Sequence, residues 1–163
     1  MENEMDIVAR YAAETPVNLN RMFEALGIEY QEAWIDDDKS AWIEHDGDRF
    51  TVVVNALEPE VRQRFSAAHE LAHYLLHRDM LDDGGRVHRH EDRLYGGRQA
   101  NPASPFEPIH EVQANRLAAQ IIMPAQLVRQ KWAQIGDLGA MAKEFRVSKA
   151  AMQIRLTTLG LAA

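Results

Sequence analysis

Three residues in this sequence carry the spacing of a metal-dependent hydrolase: His69, Glu70 and His73, in the order H-E-x-x-H. Two histidines four residues apart on a helix project from the same side of consecutive turns. Both imidazoles then reach one ion while the backbone stays regular. Glu70 is rotated about 100° from His69. Its carboxylate comes to lie beside the ion, placed to take a proton from an attacking water rather than to ligate. A shuffled chain with 7 His in 163 residues would produce this pattern on the order of a few per cent of the time. The pattern therefore has to be weighed with the elements around it.

The stretch from Pro59 to Arg78 predicts a long amphipathic helix. Apolar Val61, Phe65, Ala68, Ala72 and Leu75 recur at intervals of four, three, four and three, the stripe of a helix buried on one side. Pro59 suits the first turn, and the three motif residues sit on the less apolar side. A catalytic ion needs a third protein ligand and one open position. The sequence IHEVQANRLAAQIIMP predicts a second helix from about His110 to Ile122, closed by Pro124, with Glu111, Asn115, Ala118 and Ile122 on one side. Glu111 then stands at the border of the core and is the best third ligand. Asn115, one turn on, either orients a ligand or is simply a packed polar residue. His77, one turn beyond His73, either supports the site or faces substrate, or else is a partly buried histidine at a helix end. Asp79 is the rival ligand, because it falls six residues after the second histidine as in the metzincin arrangement. That arrangement needs a glycine three residues after the second histidine, and Leu76 stands there.

Composition narrows the class. The formal net charge of −7 argues against coating nucleic acid or an anionic membrane by bulk electrostatics. The absence of cysteine removes disulfides, thiolate metal sites and thiol nucleophiles, so any metal is held by His, Asp or Glu. The acidic N-terminus lacks the apolar segment of a secretory signal, and no run of eighteen apolar residues occurs, which predicts a soluble cytoplasmic protein. The length suits one domain with a proper core.

The other elements follow from local signals. Glu4–Ala13 and Leu19–Leu26 read as helices, the second with Asn18 as its cap and Gly27 just past its end. Ile28–Ile35, Ala41–His45 and Phe50–Asn55 read as strands, the last two joined through Asp46-Gly47-Asp48. Any edge strand beside the active-site helix would suit an extended substrate. Asp79 to Pro108 is rich in Gly and Pro and reads as a long loop, with a short strand expected within Val87–Tyr95. His88 and His90 there invite a metal reading, and Tyr95 or Arg98 a donor to a tetrahedral intermediate. The simpler reading is a solvated flap. Ala125–Trp132, Leu138–Phe145 and Ser148–Leu159 are three further helical patterns, and the last two, around Arg146-Val147, have the form of a helix-turn-helix. From Asp137 onward there are four basic and two acidic residues, a thin footprint for DNA, so direct DNA binding is not the expected role.

The segment RFSAAHELAHYLLH, followed by EVQANRLAAQIIMP and then VSKAAMQIRLTTLGL, resembles the ImmA/IrrE family of bacterial and phage metallopeptidases. Gln113 stands where an acidic residue is common in that family, Leu117 where an aromatic is common, and the Asp79–Pro108 stretch is long. The resemblance implies an α+β, zincin-like fold, with helices around a small, mainly antiparallel sheet and a helix-turn-helix-like segment at the C-terminus. The expected division is a metallopeptidase core over residues 1–123 and a helical subdomain over 124–163, packed on it as a single compact unit. The resemblance further implies Zn2+ on His69, His73 and Glu111, Glu70 as general base, and a helix-turn-helix repressor as the protein that is cut or inactivated. The alternative is a toxin component or interaction module paired with a helix-turn-helix antitoxin, its zinc mainly structural. His77, Asn115 and Tyr95 are carried as further site residues.

Overall fold

The computed structural model of the chain describes residues 2–35, 39–81, 88–93 and 106–162. Tyr95 and Arg98 lie outside the described residues, as do the side chains of His88 and His90. The chain begins with α1 (Glu4–Tyr11) and α2 (Leu19–Leu26). The latter is capped by Asn18, whose side chain accepts from Arg21 N–H, and is ended by Gly27 in the left-handed conformation at φ 73°. Strands β1 (Glu29–Ala33), β2 (Lys39–Asp46) and β3 (Arg49–Asn55) follow, and β4 (His88–Arg93) joins them from within the expected loop.

The sheet runs in the order β1-β3-β2-β4. β2 pairs antiparallel with both β3 and β4, whereas β1 runs parallel to β3, so β1 and β4 are its edges. The Asp46-Gly47-Asp48 turn closes the β2–β3 hairpin, with Gly47 at φ 64°. Val52, Val53 and Val54 are all buried, as expected of a β-branched strand buried on much of its surface. Buried Asn55 clasps the β1–β2 connection at both ends, donating to Ile35 O at 3.2 Å and Lys39 O at 3.0 Å.

Across this sheet lies α3 (Glu60–His77), which continues as a 3-10 turn over Arg78–Leu81. Its other side is covered by α4 (Pro108–Ile122), which starts at Pro108, two residues before the expected start. Pro108 occupies the first turn, where its missing N–H costs nothing. The less apolar, H-E-x-x-H side of α3 is buried as well: every residue from Ser66 to Tyr74 is buried. The sheet packs on the side of α3 that carries Tyr74, whose ring meets Phe50 of β3, and α4 covers the motif, while Val61 and Phe65 of the stripe stay partly exposed beside α4 and α7. Small residues on both helices, Ala67, Ala68 and Ala72 on one and Ala114 and Ala118 on the other, are fully buried, which lets the two backbones approach closely.

The chain ends in α5 (Ala125–Ile135), α6 (Leu138–Phe145) and α7 (Lys149–Thr158). Asp137 caps α6 and Ser148 caps α7, each accepting from the N–H three residues on. Between them Arg146 takes the left-handed conformation at φ 53°. Met141, Phe145, Met152 and Leu156 belong to the same buried cluster as Ile43 and Leu71, so the C-terminal helices share the core of the sheet layer. The whole is an α+β, zincin-like fold.

Candidate metal centre

α3 and α4 pack against each other, and their facing sides bring together the three residues read from spacing. His69 Nε2 lies 3.1 Å from one oxygen of Glu111, His73 Nε2 lies 3.1 Å from the other, and the two imidazole nitrogens are themselves 3.1 Å apart. The ligand atoms of His69, His73 and Glu111 all fall within 4.8 Å of one another, a grouping that can hold a metal ion. The histidines are 2% and 0% exposed, whereas the Glu111 side chain keeps 33% of its surface, so the cluster opens to solvent on the α4 side.

The hydrogen bonds behind the rings decide which nitrogens carry protons. Asn115 Oδ1 accepts from His69 Nδ1–H at 2.8 Å, which leaves the lone pair of His69 on Nε2. Behind His73 the arrangement takes two steps. Gln113 Oε1 accepts from His77 Nε2–H at 2.8 Å, so neutral His77 presents Nδ1 as an acceptor. His73 Nδ1–H donates to it at 3.0 Å, leaving the His73 lone pair on Nε2 as well. Burial pushes the His77 imidazole below its ordinary value, which favours the neutral ring this chain requires. In their neutral forms the two imidazoles thus turn their Nε2 lone pairs toward the Glu111 carboxylate. That donor set fits a divalent metal.

Glu70 follows His69 on the same helix and is 0% exposed. Phe106, two residues before α4, stacks on the His73 ring with centroids 4.0 Å apart and planes within 1°. Being 8% exposed, it shields that ring from water. Sequence reasoning missed this residue, because an aromatic in a Pro-flanked stretch has no periodicity to announce it. Gln113 was visible only as a departure from the family pattern. Its contact with His77 depends on how α4 crosses α3, which no spacing within either helix specifies. Asp79, the rival ligand, is exposed in the 3-10 turn and is not among the clustered groups. Among the described residues, the cluster of His69, His73 and Glu111 is the one of its kind.

No curated protein matches the chain in a sequence search. The peptidase family model described as the IrrE N-terminal-like domain (Peptidase_M78) matches residues 24–157, from the end of α2 to the last turn of α7. That span includes the sheet, the facing helices and all the clustered groups, and by this match the chain belongs to the IrrE N-terminal-like family of metallopeptidases.

Proposed function

We propose that this chain is a zinc-dependent endopeptidase that cuts a helix-turn-helix repressor and so relieves transcriptional control. The observation that carries the hydrolytic part is the convergence of His69 Nε2, His73 Nε2 and the Glu111 carboxylate, with Glu70 buried on the same helix directly after His69. A two-histidine, one-carboxylate set in a chain without cysteine suits zinc with an open position. The repressor as substrate rests on the resemblance of the motifs to the ImmA/IrrE family.

When bound, zinc would supply a Lewis acid for the scissile carbonyl and bring the pKa of a water down to about 7. The protein's own residues do the rest. The Glu70 carboxylate takes the proton of the water as its oxygen attacks the carbonyl carbon, then delivers it to the amide nitrogen as the C–N bond breaks. Asn115, and Gln113 through His77, hold the two imidazoles with their Nε2 lone pairs inward. Phe106 and the packing of α3 under α4 keep bulk water from the rear of the site.

The test is to co-express the protein with the helix-turn-helix repressor encoded nearest to it and to search for new chain ends by mass spectrometry. Wild type should cut the repressor at a discrete bond, and Glu70→Gln should leave it whole while retaining metal. A repressor cut equally by both proteins, or by neither, would sink the proposal. If repression is relieved equally by Glu70→Gln, the zinc is structural and the protein acts by binding.

A further inference from the structure

Beside the metal centre, α3, α4 and α7 enclose an open groove of about 670 Å³. Asn115, which holds His69, stands on its wall, so groove and centre share a residue. The walls are apolar, with Phe65, Val112, Ala151 and Ile154, of which Val112 is 52% and Ile154 67% exposed. At one end, where it shares Val61 and Val147, the groove runs on into a second hollow of about 320 Å³.

The charge of this surface runs against that of the molecule. The two hollows are lined by six cationic side chains, Arg62, Arg116, Arg155, Lys143, Arg146 and Lys149, and by one carboxylate, Glu60, on a chain whose formal net charge is −7. Arg155 is the telling member. It is 8% exposed, its Nε donates to Met123 O at 2.9 Å, and it lines the groove. No carboxylate among the described residues is paired with it. Burial and the like charge of Arg129 both push its pKa down. The carbonyl end of α4 offsets part of that charge, and a largely buried guanidinium with no carboxylate beside it favours a ligand carboxylate through a charge-assisted hydrogen bond.

We propose that this groove is a substrate-docking site for a polypeptide segment that is apolar on one side and carries an acidic residue, the carboxylate meeting Arg155 and the acidic flank meeting Lys143 and Lys149. The identity of that segment as part of the substrate rests on the peptidase reading; its binding does not. The apolar walls favour a peptide over nucleic acid, whose phosphates would leave Phe65, Val112 and Ile154 uncovered or set them against charge.

The test uses random 12-residue peptides displayed on phage, selected on zinc-loaded Glu70→Gln protein and counter-selected on the Ile154→Asp variant of it. Enriched peptides are then measured by fluorescence anisotropy. We expect a consensus of apolar residues around a Glu or Asp, and at least tenfold weaker binding when that acid becomes Gln. Binding should fall likewise with Ile154→Asp and with the surface variant Arg116→Glu. The latter keeps the test independent of Arg155→Met, which also breaks the bond to Met123 and endangers folding. No enrichment, an apolar consensus without an acid, binding that survives Ile154→Asp, or a DNA duplex that binds in the groove and displaces the peptides would each overturn the inference. Peptides that dock as described on a protein that cuts nothing would overturn the peptidase reading alone.

Discussion

Asn115 and Gln113 are uncharged amides, and their oxygens can only accept, which is why they can dictate where the histidine protons reside. Removing such a partner from behind a ligand costs about 10- to 100-fold in metal affinity. Asn115→Ala and Gln113→Ala are each expected to weaken zinc binding in that range, measured by competition with a chromogenic chelator. The effect of Gln113→Ala should be strongly reduced in a His77→Phe background, because the two act on His73 in series. Glu70→Gln belongs to the other class. It should retain the metal and lower the hydrolytic rate by about 10²- to 10⁴-fold, the usual contribution of a positioned general base. Glu111→Ala should lose most of the metal, read out by elemental analysis of the purified protein.

At the scale of elements, α3 serves two layers at once: the sheet below holds it and α4 above completes the centre. Leu71, fully buried between the two histidines in sequence, belongs to the core that fixes the helix. Leu71→Ala should cost about 2–5 kcal/mol of stability by urea titration, far more than Glu70→Gln, and should weaken the metal site only as the fold loosens. The turn between α6 and α7 makes a separate prediction. Arg146 sits at φ 53°, a conformation that costs a side-chain-bearing residue roughly 1 kcal/mol and costs glycine little. Its ion pair with Glu60 at 3.2 Å is exposed on both sides and contributes little. Arg146→Gly is therefore expected to be neutral to stabilising in the same titration.

At the scale of the whole molecule, the fold converges three donor side chains in a grouping that can hold a metal ion. Zinc should accordingly stabilise the native chain. At a hundredfold excess over the dissociation constant the gain is about 2.7 kcal/mol, or about 5–11 °C in Tm for a domain of this size. Differential scanning fluorimetry with zinc against chelator checks this, and Glu111→Ala should abolish most of the shift. The charge pattern adds a second whole-molecule expectation. With a cationic groove on an acidic body, binding of acidic peptides should weaken as salt rises over the range that shortens the screening length from about 10 Å to about 3 Å. No described helix is long and apolar enough to cross a membrane.

Much of this was legible in the residues themselves. Helical spacing put His69, Glu70 and His73 together, caps such as Asn18 and Ser148 marked where helices begin, and the β-branched run Val52–Val54 announced a buried strand. These signals are local, set by the few backbone dihedrals between neighbouring residues, so a sequence can carry them. The partners that reach across elements were decided by the tertiary structure. Burial of the motif face of α3 depends on α4 lying over it. The path from Gln113 through His77 to His73 depends on the crossing of the two helices, and the stacking of Phe106 on how the chain enters α4. Likewise, Arg155 read from the sequence is one cation among several on a helix. Only the packing of α7 against the end of α4 buries it beside an apolar groove, because the cost of a charge is set by what surrounds it in space.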